Sequence, residues 1–220
     1  MIKTYAFIVK KAGLSDEQFH AHWRDPHGVM TARIPHFVRY LQNHGTGEEC
    51  RFGSLPPVPF RGVPVIWTAG LEDLAAAAEH PEWPPLAADG GLFYDVDRLA
   101  FVPCQEGAEL GHDPGTGPHH KAMVFFRVDG AVDQAQLLLQ VTKAIPKAPW
   151  MGIACPLAAA NPPPGPFFDM VLEVILPPGS GSLQEAAAHG QALVDTLTEF
   201  KALKPVGGFH CREERVFDRR

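Results

Sequence analysis

Two stretches far apart in the chain are apolar on both sides of a strand, and this constrains the fold more than any other feature. In the first, Tyr5, Phe7 and Val9 share one side, and Ala6 and Ile8 take the other. In the second, Met123 and Phe125 oppose Val124, Phe126 and Val128. A sheet wetted on one side alternates apolar with polar residues, so these strands are expected to be covered twice. Periodicity and turn signals place both in a repeated order. Residues 1–107 read as strand (4–10), helix (15–34), strand (37–44), strand (63–69), a helix starting near 72, and strand (98–103). Residues 121–220 read as strand (121–128), helix (133–145), strands (151–159 and 168–176), a long helix (182–203) and strand (208–217). Each half is βαββαβ, the ferredoxin-like order, repeated with little residue identity. Residues 108–120, rich in Gly and Pro and without hydrophobic periodicity, are expected to link the halves.

A ferredoxin-like sheet carries its helices on one face, so the other apolar face needs a cover. The second sheet of the same chain is the most economical one. Two sheets face to face, helices outward, make an α/β barrel with a central cleft; a homodimer interface would do the same. The expected class is therefore α+β: two tandem ferredoxin-like units with antiparallel sheets, packed as a dimeric-type α/β barrel, in a monomer or a homodimer.

Composition closes other routes. The chain has 220 residues and a formal charge of −6, which opposes the clustered positive charge that nucleic-acid binding needs. No apolar run approaches the roughly 18–20 residues of a membrane-spanning helix, and residues 1–10 read as a strand rather than a signal peptide, so a cytoplasmic protein is expected. Cys50, Cys104, Cys155 and Cys211 form no Cys-x-x-Cys and are expected to be free thiols, Cys211 beside His210 included. No histidine pairing has metal-ligand spacing, and no Gly-x-Gly-x-x-Gly or phosphate loop is present, so neither a metal nor a nucleotide is expected.

The first helix holds the most chemistry. Ser15-Asp16-Glu17-Gln18 is a capping box. Phe19, Trp23 and Met30 then share a stripe, with His20 and His27 on its flank. Pro26 is expected to interrupt the helix, with Asp25 as the cap of a second short helix and Pro26 its first residue. His27 would then lie near a positive dipole end, stay neutral and be able to accept a proton. The plainer alternative makes Phe19 and Trp23 core residues and His27 a structural histidine. In the next strand Tyr40, Gln42 and His44 share one face and Arg39, Leu41 and Asn43 the other. That polarity fits a polar-lined cleft or a solvated edge strand. Asp169 and Glu173 share a strand face, and a carboxyl pointing into the barrel would be a candidate acid with a raised pKa.

These residues carry a resemblance. Ser15, Glu17 and Phe19, then His22, Trp23, His27 and Gly28, then Arg39, Tyr40, Asn43 and His44, fall in the order of the EthD domain family. Residues 62–74, with Trp67, and Phe93-Tyr94-Asp95 resemble it too. The likeness spans residues 1–107; residues 133–145 lack the Trp-x-x-x-His, and no Arg-Tyr follows them. The resemblance implies a dimeric α/β barrel, and association with the breakdown of ethers and aromatic compounds or with polyketide tailoring. The wider superfamily includes oxygenases, isomerases, dehydratases and haem enzymes, although EthD domains themselves are mostly not haem proteins. Were haem bound, His27 or His44 would be the ligand; no cofactor is expected.

The expectation is an enzyme without cofactor, acting on a small aromatic or hydrophobic carbonyl compound by proton transfer at carbon: dehydration, decarboxylation or isomerisation. His27 would be the base, Asp25 would cap the short helix and orient the imidazole, and Tyr40 and His44 would hydrogen-bond a developing oxyanion. Trp23, Trp67, Phe7 and Asn43 would line the substrate. The alternatives are a non-catalytic binding protein for a hydrophobic metabolite, needing only an apolar pocket, and an oligomerisation module with a filled barrel.

Overall fold

The computed structural model describes all residues except 48, 114, 116, 161–164, 198 and 220. In it the doubly covered strands close on each other. In the first half, β1 (Ile2–Phe7), β2 (Arg39–Gly45), β3 (Gly62–Thr68) and β4 (Ala100–Gly111) lie in the order β4-β1-β3-β2. The second half repeats that order with β5 (His119–Val128), β6 (Trp150–Pro156), β7 (Met170–Ile175) and β8 (Leu203–Asp218), as β8-β5-β7-β6. The two sheets join where β2 pairs with β8, from Arg39↔Asp218 to Gly45↔Cys211, and where β4 pairs with β6, from Cys104↔Pro156 to Gly111↔Trp150. Every pairing is antiparallel and the barrel is closed within one chain, so no partner copy is needed to cover the inner faces. Closure also removes the sheet edges. The polar strand β2 is consequently not a solvated edge: it lies between β3 and β8, and all its residues are buried.

The strands' alternation sorts side chains between two environments. Inward from β1, β5 and β8 come Phe7, Phe125 and Phe209, which meet Phe60 and Phe168 with ring centroids 4.8–5.8 Å apart. Each such fully buried ring contributes roughly 1.5–3 kcal/mol. Outward, the second-half sheet packs Ala122, Val124, Phe126, Ile153 and Leu172 against α5 (Gln134–Ala144) and α6 (Leu183–Leu197). The first-half sheet faces α1 (Asp16–His22), α2 (Gly28–Thr31), α3 (Leu71–Glu79) and α4 (Trp83–Phe93). The loop after β2 crosses α6 backbone to backbone. A Cβ on Gly53 would lie 2.6 Å from Gly190, and Gly53 itself has φ +60°, so both positions require glycine.

Several boundaries differ from the sequence expectation. Residues 81–91 are rich in Pro and Gly, yet most of them form α4. Its prolines fall at the first turn, where the missing N–H has no helical partner to lose. β4 continues to Gly111 through residues expected to belong to the linker, because it pairs with β6 there. α6 ends at Leu197 rather than 203, and β8 begins at Leu203, earlier than the expected 208. The proline cluster at 162–166 lies partly outside the described residues. The four cysteines are free, and three of them, Cys211 included, are buried.

Each half alone would expose an apolar sheet face. Residues 1–112 expressed separately are expected to self-associate or precipitate; a monomeric fragment with a cooperative thermal transition, measured by light scattering and circular dichroism, would contradict this.

Candidate functional site

The helix entry follows the sequence closely. The Ser15 hydroxyl accepts the Gln18 N–H at 3.1 Å, and the Gln18 side chain accepts the Ser15 N–H at 2.9 Å. Phe19 and Trp23 then turn inward and are fully buried. Trp23 can lie flat on the sheet only because position 62 is glycine: a Cβ there would come within 2.5 Å of the indole.

Pro26 does not break the helix. It widens it into one π-helical turn, Trp23–His27, in which the Gly28 N–H bonds to the Trp23 carbonyl and the chain continues directly into α2. The missing Pro26 N–H is thereby absorbed without a chain reversal. Asp25 is therefore not a cap. It is exposed, and the imidazole it was expected to orient is bound by Asp89 instead. His27 is not at a helix N-terminus either, so the dipole argument for its neutrality fails. Burial does the work instead: it lowers the His27 pKa, and the nearby Asp89 carboxylate offsets this only partly.

Asp89, on α4, is the residue that sequence reasoning missed. Its two carboxylate oxygens bind His27 Nδ1 at 2.8 Å and His22 Nε2 at 3.0 Å. Phe93, one turn on, stacks edge-on against His27 at 4.9 Å. Asp89 was obscured because it stands in Ala-Asp-Gly-Gly, which reads as a turn. The neighbouring Phe93-Tyr94-Asp95 was the only sequence signal near it.

His27, Trp23 and Tyr40 do converge. They line a cavity of about 90 Å³ between the first-half sheet and its helices. Ala6, Ile8, Pro64 and Ile66 form its floor, and Thr31, Trp83, Leu86, Phe93 and Tyr94 its walls. The Tyr40 hydroxyl accepts from the Trp23 indole at 2.9 Å and from the Gln42 amide at 3.2 Å. Burial pushes its pKa up to about 12, so it stays protonated and can donate.

The other expected residues lie elsewhere. His44 shares the outward face with Tyr40, but Trp23 covers it, with ring centroids 4.3 Å apart. Its two nitrogens bind His20 Nδ1 at 2.9 Å and Gln42 Oε1 at 3.0 Å. Burial, with His20 and two nearby arginines, lowers its pKa to about 2. Phe7, Asn43 and Trp67 face into the barrel, on the far side of the sheet from His27. Asn43 donates to the Val63 carbonyl at 2.8 Å, and Trp67 to Glu106 at 2.9 Å.

Glu173 does point into the barrel, but not as an acid of raised pKa. Burial alone would raise it, yet Lys121 and Lys3 outweigh burial and hold the carboxyl well below the usual range. Asp169 is exposed, bound to Arg127 at 2.8 Å and to the Val128 N–H at 3.0 Å. Among the described residues no group of three or more His, Cys, Asp or Glu side chains is placed to hold a metal ion. Haem does not fit this arrangement: the cavity is far smaller than a porphyrin, and both His44 nitrogens are already engaged.

Residues 11–97 match the model of the EthD domain, and the matched stretch contains the capping box, the π-helical turn and Asp89. Solved structures similar to the whole chain include a protein described as a candidate monooxygenase from Fusobacterium nucleatum subsp. nucleatum. It is 9% identical with a TM-score of 0.57, covering 98% of this chain and 92% of that one. A second candidate monooxygenase, from Lactobacillus acidophilus, is 8% identical with a TM-score of 0.53 over 98% and 93%. A variant of chlorite dismutase from Candidatus Nitrospira defluvii is 10% identical with a TM-score of 0.54 over 98% and 91%. At such identities the likeness is one of fold, and fold does not carry function. No curated protein matches the chain. No helix is long and apolar enough to cross a membrane.

The buried histidines set an acid limit. His20 and His210 are lowered to about 4 and His44 to about 2, burial being the largest cause in each. The unfolded chain binds these protons near pH 6.5 and the folded chain does not, so stability is complete above about pH 6.5 and falls as pH drops toward 4. His44 alone contributes a slope of up to about 1.4 kcal/mol per pH unit there. Denaturant titration of His44→Gln between pH 4 and 7 should show a flatter profile than the wild type.

Proposed function

We propose that the helix-side cavity is an acid–base site for a small aromatic or hydrophobic carbonyl compound, and that it moves a proton at carbon without a cofactor. The observation that carries this reading is the His27–Asp89 pair at 2.8 Å, opening onto a cavity whose other lining is almost wholly apolar. Asp89 accepts at Nδ1, which fixes the neutral tautomer with its proton there and leaves Nε2 as the acceptor. Its lowered pKa keeps His27 unprotonated at neutral pH. His27 is the base and Asp89 the group that orients it, the role first expected of Asp25.

Tyr40 supplies the complementary acid. Its oxygen already accepts two hydrogen bonds, which leaves its proton to donate, and the Thr31 side chain beside it is the partner that a substrate oxygen would replace. A substrate carbonyl oxygen placed there would gain negative charge as Nε2 removes the adjacent carbon's proton, and the Tyr40 O–H would stabilise it. Isomerisation returns the proton at another carbon; in dehydration the carbanion expels hydroxide, which takes the proton held on Nε2 and leaves as water; in decarboxylation the loss of carbon dioxide itself generates the carbanion, and the protonated His27 delivers a proton to that carbon. The cavity holds about 90 Å³, so the reacting fragment is no larger than a single ring. Trp23 and Phe93 supply the walls; Phe7, Trp67, Asn43 and His44 have no part in this pocket.

The test is deuterium incorporation at the acidic carbon of small aryl methyl ketones and arylacetaldehydes in heavy water, followed by proton NMR. Wild type is expected to accelerate exchange for at least one compound. His27→Ala should cut it by about 100-fold or more and Tyr40→Phe by about tenfold or more, both with melting temperatures near wild type. Binding of these compounds without any exchange would make the protein an accessory binder instead. A large fall in melting temperature for His27→Ala would mark the histidine as structural.

A further inference from the structure

A second cavity, larger than the helix-side one, lies on the other side of the sheet, at the end of the barrel where the phenylalanine packing stops. It encloses about 270 Å³. Its floor is a charged network drawn from four strands. Glu173 of β7 accepts from Lys3 and Tyr5 of β1, and from Lys121 of β5 at 2.7 Å; Lys121 also pairs with Glu213 of β8. All five side chains are at most 5% exposed. Removing four charges from water is costly, and apolar residues of similar volume would stabilise a barrel at least as well. The rest of the lumen is built that way, with phenylalanines.

The network leaves a specific recognition capacity unused. An ammonium group has three N–H donors; among the described residues Lys3 gives one to Glu173. Its remaining donors lie between two indoles, with Nζ 5.0 Å from the Trp67 ring centre and 5.7 Å from that of Trp150. The vacant space is therefore bounded by two flat aromatic walls and a buried donor, which suits a planar molecule with an acceptor atom.

Charge narrows the class. A cation is disfavoured because Lys3 and Arg39 already lie over the Trp67 indole, Arg39 at 4.7 Å. An anion is disfavoured because five carboxylates line the cavity against three cations, with Glu106 and Glu109 on its exposed rim. We propose that the barrel mouth, bounded by Lys3, Trp67 and Trp150 above the Glu173 network, is a second binding site for a small neutral aromatic molecule bearing a carbonyl-type oxygen, held by the Lys3 ammonium. This site is independent of the acid–base reading of the helix-side cavity.

The four tryptophans separate the two sites, since Trp67 and Trp150 line the barrel mouth and Trp23 and Trp83 the other cavity. The experiment titrates nitrogen-15-labelled protein with benzamide, benzoate and benzylamine, near-isosteric probes that are neutral, negative and positive, and follows the indole N–H signals. Benzamide is expected to move the Trp67 and Trp150 signals saturably, with the charged probes weaker by about tenfold or more. Lys3→Met should weaken benzamide by at least that factor while the Trp23 and Trp83 signals stay in place. Should Lys3→Met lose those signals through misfolding, Trp150→Leu, on the cavity wall, takes its place and should weaken benzamide comparably. The proposal is overturned if no probe moves Trp67 or Trp150, if a charged probe binds as tightly as benzamide, if benzamide moves only Trp23 and Trp83, or if the folded variant retains wild-type affinity.

Discussion

The ion network on Glu173 ties the halves of the chain together. Lys3 comes from the first half, and Lys121, Glu173 and Glu213 from the second. Hydrophobic contact between two sheets is non-directional and tolerates sliding. A carboxylate held at both oxygens by lysines from different sheets does not, because a displaced pair would leave a buried charge unpaired. Register between the sheets in turn sets the β2–β8 and β4–β6 pairings that close the barrel. A closed barrel then gives Tyr40, Gln42 and His44 a rigid surface on which the first helix rests.

The two halves use one topology for different ends. In the second, the space between sheet and helices is filled by Leu137, Leu138, Val141, Leu193 and Leu197. In the first, the π-helical turn at Pro26 and the indole of Trp23 hold the helix so that a cavity remains, with His27 on its wall. The second half has no Trp-x-x-x-His, and ordinary core packing stands where the first half has the turn and its histidine.

Much of the fold was legible in the sequence because it rests on patterning. Strands apolar on both faces demanded two covers, and the repeated βαββαβ order supplied them. What was not legible depended on tertiary pairing. The extension of β4 through Glu106–Gly111 is imposed by β6, and α4 hides behind Pro84, Pro85, Gly90 and Gly91, whose composition mimics a loop. At the candidate site, Trp23, His27 and Tyr40, which line one cavity, stand on regular elements with a readable face. Phe7, Asn43 and Trp67 were grouped with His27 in one pocket although they face the barrel lumen, since alternation groups residues without saying which group faces the helices. Asp25 was chosen through nearness in sequence, although an imidazole is oriented by whatever carboxylate meets it in space, here Asp89.

The central claim is that Asp89 fixes His27 as a neutral base with its proton on Nδ1. Nitrogen-15 NMR of the imidazole across a pH titration tests this directly. The account predicts the Nδ1–H tautomer and a His27 pKa below the ordinary 6.5. A pKa above 7, or an Nε2–H tautomer at neutral pH, would mean that the Asp89 pair holds an imidazolium or is absent, and would contradict the assignment of His27 as the base.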